Sequence, residues 1–110
     1  MLKPETSDRP LPDPELEVAI ADAHSAADAA AGIASGAYAW TVRADVAADD
    51  AAEAVRCALR ARTTAQQAER CDTAAEAWTY ARLAWAAVTS TLEASARVNA
   101  AIAEVLAAAA

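Results

Sequence analysis

Phenylalanine is absent from this 110-residue chain, lysine occurs once, at Lys3, and glycine, cysteine and histidine number two, two and one. Each scarcity removes a class of function. A glycine-rich phosphate cradle is excluded, because both glycines, Gly32 and Gly36, fall inside one helical stretch. The cysteines, Cys57 and Cys71, form no Cys-x-x-Cys pair and are too few for a disulfide scaffold. If one helix joined them they would stand about 21 Å apart at 1.5 Å per residue, so two reduced thiols are expected. With His24, in an alanine-rich helical stretch, as the sole imidazole, Ser/His/Asp catalysis is not expected, and no Glu-x-x-His di-metal motif is present. His24 and Asp28, four residues apart, share a helical face but are two ligands only.

Basic charge is short as well. Sixteen acids face nine Lys and Arg, a formal net charge of −7, which opposes binding to DNA, RNA or an anionic membrane. The imbalance is uneven. Residues 1–54 carry eleven acids against Lys3, Arg9 and Arg43, and residues 55–110 carry five acids against six arginines. No uncharged run approaches the roughly twenty residues of a membrane span, and Met1-Leu2-Lys3-Pro4-Glu5 lacks the basic start and apolar run of a signal peptide. A cytoplasmic protein is expected.

What the chain has is alanine, about a third of all residues. Alanine is the best helix former but offers one methyl to bury, so helices built from it must approach closely. The fold expected is all-α: an alanine-rich antiparallel bundle of three long helices, or four if one breaks, completed by oligomerisation. Residues 1–12, with three of the four prolines, read as a flexible arm, and residues 13–110 as one bundle domain.

Asp13 before Pro14, with Glu15 and Glu17 following, reads as a helix start. Leu16, Ile20, Ala23, Ala27, Ala31, Ala34, Tyr38 and Val42 then trace one face of helix 1. Gly32-x-x-x-Gly36 reads as a close-packing groove for another backbone, or as a break near Gly36. Asp50 with Glu53 reads as the cap of helix 2, running to about Arg70. Thr73 with Glu76 is the capping box of helix 3, spanning roughly 74–108, and Ser90 with Glu93 is a further box that would break it. Along helix 3, Trp78, Trp85, Leu92 and Asn99 recur every seven residues and interleave with Ala74, Ala81, Val88, Ser95 and Ile102. A second stripe of Tyr80, Leu83, Ala87, Ala94, Val98 and Val105 lies about 200° round the helix. Two apolar faces exceed what a chain this short can cover, so a homo-oligomer is expected, most simply a two-fold dimer. Trp78, Trp85, Leu92 and Asn99 would form its interface with Gly32 and Gly36, Asn99 selecting register. The aromatics Tyr38, Trp40, Trp78, Tyr80 and Trp85 read as core.

Two features carry potential chemistry. Arg56, Arg60 and Arg62 lie close together on helix 2 and suit a phosphate or a partner's carboxylate, although Glu53 suits Arg56 locally. Asp49, Asp50 and Glu53, with the later pair Glu69-x-x-Asp72, are a candidate Mg²⁺ set. This layout resembles the all-α nucleoside triphosphate pyrophosphohydrolases, in which Glu-Glu-x-x-Glu and a later Glu-x-x-Asp hold Mg²⁺; here aspartates replace the first two glutamates and the second motif falls at a turn. The resemblance implies a nucleotide hydrolase or small-ligand binder with its site between subunits. Without a coherent catalytic set in one chain, the leading expectation is a noncatalytic helical interaction protein that self-associates and offers helix surfaces to a protein partner.

Overall fold

Asp13 caps the first helix as its sequence demands: Oδ1 accepts the Glu15 backbone N–H at 3.0 Å, and Pro14, which has no N–H to orphan, takes the first helical position. A computed structural model describes residues 13–110, so the arm expected at 1–12 lies outside the described residues. Three helices follow: α1 (Pro14–Ala44), α2 (Ala48–Glu69) and α3 (Ala74–Ala109). Each packs against the other two in an up-down-up bundle. At 1.5 Å per residue they rise about 46, 33 and 54 Å. None is long and apolar enough to cross a membrane.

Both long helices are unbroken. α1 runs through Gly32 and Gly36, and α3 through Ser90, whose hydroxyl donates to Ala86 O at 3.4 Å instead of capping a new helix. The capping box at α3 forms as expected. Glu76 N donates to Thr73 Oγ1 at 3.2 Å, and the Thr73 hydroxyl donates to the Glu76 carboxylate at 3.1 Å.

The start of α2 differs from expectation. Its cap is Ala47, with φ 59° and no side-chain hydrogen bond, and Asp50 is an interior residue of the first turn. The turn from α1 is tight: Asp45 (φ 56°) donates its N–H to Thr41 O at 2.7 Å, and Ala47 follows in the left-handed region. Two left-handed residues in a three-residue connection bring the helix start forward of the aspartates. Asp49 and Asp50 then favour the helix through its dipole.

Alanine forms the core. Eighteen of the twenty-one buried apolar residues are alanines, joined by Cys57, Val88 and Val98. The buried seams follow seven-residue spacing. On α3 they are Ala77, Ala84, Thr91 and Val98, flanked by Ala81 and Val88; on α2, Ala54, Ala61 and Ala68 beside Ala51, Ala58 and Ala65. Side chains this small let helix axes come to the short end of the usual 8–10 Å range. Each burial contributes little, but no rotamer entropy is lost and helix propensity is maximal. The three buried threonines add no unsatisfied polar atom. Thr41, Thr64 and Thr91 each donate to a carbonyl of their own helix, Tyr38, Arg60 and Ala87, at 2.7–2.8 Å.

This packing corrects three expectations about faces. On α1 the buried line is Ala19, Ala23, Ala26, Ala30, Ala34 and Ala37, while Ala31, Tyr38 and Val42 of the expected face are exposed. A path of four-residue steps drifts about 40° round the helix at every step, which carried that face off the core. A Cβ built on Gly32 or Gly36 meets nothing within 4 Å, so the glycines form no groove for α2 or α3; alanine provides the close approach instead. On α3 the stripe of Trp78, Trp85, Leu92 and Asn99 is not the inward seam. That seam lies one residue earlier, at Ala77, Ala84, Thr91 and Val98, about 100° away. Of the second stripe, Ala87, Ala94 and Val98 belong to the buried face while Leu83 and Val105 are exposed.

Candidate interaction surfaces

Because alanine fills the interior, the large apolar side chains lie on the bundle's flanks. Trp40 is 50% exposed, Trp85 40% and Leu92 51%; Tyr38 and Leu59 are each 57% exposed. The core role expected for Tyr38, Trp40 and Trp85 is thereby corrected, and only Trp78 and Tyr80 among the aromatics lie partly buried against the alanine core. These residues fall on two surfaces.

The first lies between α1 and α3. Trp85 donates its indole N–H to Asp22 Oδ2 at 2.8 Å, which fixes the tryptophan edge over α1. Trp78, Leu92 and Asn99 follow Trp85 along α3 at seven-residue steps, so they share this flank. On α1, Gly36 and Trp40 lie fourteen and eighteen residues beyond Asp22, close to whole numbers of turns, and extend the surface. Gly32, Gly36, Trp40, Leu92 and Asn99 are all exposed. Trp78, Trp85, Leu92 and Asn99 thus share one flank of α3, with Gly36 and Trp40 on the neighbouring side of α1; Gly32, ten residues from Asp22, points about 80° away from that line. Asp22 is a member that sequence reasoning missed. A hydrogen bond across sixty-three residues leaves no local signal.

The second surface is a groove of about 540 Å³ between α1 and α2. Its two ends differ. At one end His24 Nε2 meets Glu69 Oε2 at 2.6 Å, beside Asp28 and Gln66. His24 thus pairs across to α2, not along α1 with Asp28. At the other end the walls are Ala31, Ala34, Tyr38, Val55 and Leu59, with Arg62 between the two halves.

The acidic residues are held elsewhere. Asp50 accepts from Arg97 Nε at 2.8 Å, tying the start of α2 to α3, and this contact holds the Arg97 guanidinium above its usual pKa. Glu53 accepts from Arg56 at 2.6 Å and from the Cys57 thiol at 3.5 Å; the Arg56 bond, then the Cys57 bond, hold its carboxyl below the usual 4.5. Glu69 is taken by His24, and Asp72 lies in the α2–α3 turn, beyond the end of the helix. Along α2, Glu53 and Glu69 stand about 24 Å apart. Among the described residues no three His, Cys, Asp or Glu side chains come together as a metal set. One chain therefore does not bring Asp49, Asp50 and Glu53 to Glu69 and Asp72. Both cysteines are free. Cys57 is buried and Cys71 half-buried, and desolvation first of all raises both thiol pKa values.

Comparison with protein-family models, with curated proteins and with solved structures finds no match for this chain.

Proposed function

We propose that this chain is a noncatalytic, cytoplasmic assembly protein that self-associates through its α1/α3 surface, most simply as a two-fold dimer, and presents its other helix faces to a protein partner. One observation carries the reading: the bundle buries alanine and leaves its bulk outside. Trp40, Trp85 and Leu92, each 40–51% exposed, lie on the α1/α3 flank, where Gly36 leaves the backbone uncovered. Within one chain Trp85 gains the Asp22 hydrogen bond but leaves much of its apolar area exposed, whereas a second copy would cover that area with aromatic anchors of the kind that dominate interface energetics. Asn99, at the end of the stripe, selects the register in which its amide meets a partner.

The Mg²⁺ hydrolase reading would need its carboxylates to meet between subunits; within one chain Asp50 pairs with Arg97, Glu53 with Arg56 and Glu69 with His24. Size-exclusion chromatography with light scattering tests the proposal. Twice the 11.3 kDa chain mass is expected in the micromolar range, and a single-chain mass at high micromolar concentration would contradict it.

A further inference from the structure

We infer that the second copy lies antiparallel along the outer face of α3, with the two-fold axis level with Arg97 and Val98. This rests on the reading that the chain self-associates, and adds which way round the copies lie and in what register. Two exposed rows run down α3. Trp85, Leu92, Asn99 and Leu106 recur every seven residues, and Thr89, Ala96, Ala103 and Ala110 alternate with them at the three- and four-residue steps of a coiled-coil seam. One row is large and the other small. Beyond Val98 the seam also leaves the bundle. Ala101 and Ile102 are half-buried and residues 103–110 are exposed, with Leu106 65% exposed on about two turns of helix that α1 and α2 leave uncovered.

The alternation selects the orientation. In a parallel pair each row meets itself, so Trp85 would abut Trp85 while Ala96 faced Ala96, and the bulky layers would hold the alanine layers apart. In an antiparallel pair each row meets the other, large on small. With the axis level with Arg97 and Val98, Leu92 faces Ala103 of the second copy, Thr89 faces Leu106 and Asn99 faces Ala96. The uncovered end of α3 from each copy thereby lies along the stretch from Trp85 to Leu92 of the other. Trp40 of α1, about five turns beyond Asp22 and so level with Ala103, borders the same seam.

Asn99 and charge select the register. The two Asn99 side chains stand about 4.5 Å apart along the axis, close enough for their amides to pair where the seam covers them. Sliding the copies by one heptad in one direction moves these amides about 15 Å apart and sets Arg82 against Leu106. Sliding in the other leaves Trp85 facing no residue of α3. In a chain of net charge −7, copies repel wherever carboxylates meet. Neither row carries a charge from Trp85 onward, and Glu93 beside them falls level with Ile102 of the second copy.

Two measurements on the full-length protein test this. In the first, Leu92→Glu is mixed with Ala103→Lys, whose altered positions face each other only in the antiparallel register. Sedimentation velocity is expected to show this mixture associating at least about tenfold more tightly than Leu92→Glu mixed with the natural chain, while Leu92→Glu with Ala96→Lys gains nothing. In the second, spin labels are placed at Ala86→Cys or Ala100→Cys, exposed positions on the same side of α3, in a Cys57→Ala, Cys71→Ser background. Pulsed electron resonance is expected to find the Ala86 labels about 35 Å apart along the axis and the Ala100 labels about 8 Å apart. Equal short distances at both sites, rescue by Ala96→Lys in place of Ala103→Lys, or no rescue would overturn the inference while self-association stands. A natural chain that stays single overturns both.

Discussion

Asp22 on α1 and Trp85 on α3, sixty-three residues apart, are joined by a 2.8 Å hydrogen bond from the indole to the carboxylate. This contact orients a large aromatic ring that the alanine core has no room for. It also leaves part of the Trp85 ring exposed, so a stabilising contact within the chain shapes the bundle's outer flank.

Removing that carboxylate exposes its contribution. Asp22→Ala is expected to lower stability by about 0.5–1.5 kcal/mol, the range for a solvent-exposed hydrogen bond, and to shift Trp85 fluorescence to the red. Asp22→Asn, which keeps an acceptor oxygen, loses less. Urea denaturation of the two variants makes the comparison.

Small residues in the core and on the surface respond in opposite senses. Ala61 is fully buried, so Ala61→Leu pushes the helices apart and costs about 1–3 kcal/mol or more. Gly36 has open space where a Cβ would go and sits in mid-helix, so Gly36→Ala stabilises the isolated chain by about 0.5–1 kcal/mol. If the glycine face meets a second copy, Gly36→Ala also weakens self-association. Denaturation at low concentration and sizing at high concentration read the two effects separately.

The thiols make stability fall at alkaline pH. The folded state raises the pKa of Cys57 and Cys71 above the usual 9.0, chiefly by desolvation, so it holds protons that the unfolded chain releases. Their contribution to stability is full below pH 9.0 and is lost as pH rises beyond it. Glu53 acts at the acid end: its pKa is lowered from 4.5, so its contribution is present above pH 4.5 and is lost as pH falls further. Thiol labelling checks the placement. Half-buried Cys71 is expected to react first, and Cys57 only as fast as the bundle opens.

These contrasts show which features local sequence encodes. Asp13-Pro14 and Thr73 with Glu76 were legible because a cap is made within four residues. The start of α2 was not, because Ala47 in a left-handed conformation carries no side-chain signal, and the aspartates that resemble a cap lie inside the helix. The bundle class followed from the long alanine-rich periods. Its core phase did not, because Trp78, Trp85 and Leu92, the residues with most hydrophobic contrast, lie on the flank. The seven-residue spacing of Ala77, Ala84, Thr91 and Val98 marks the true seam, but small residues are too numerous here to stand out. The tryptophan stripe was visible from sequence; Asp22, Trp40 and the His24–Glu69 pair needed the fold.

The central claim is that the bulk left outside the alanine core is there to meet a second copy. Sedimentation velocity of the natural protein and of Leu92→Glu, from about 1 to 100 µM, tests it most directly. The natural chain is expected to move from one to two chain masses as concentration rises, while Leu92→Glu stays at one with unchanged helicity. A natural chain that remains single throughout, or a Leu92→Glu variant that associates as strongly, would contradict it.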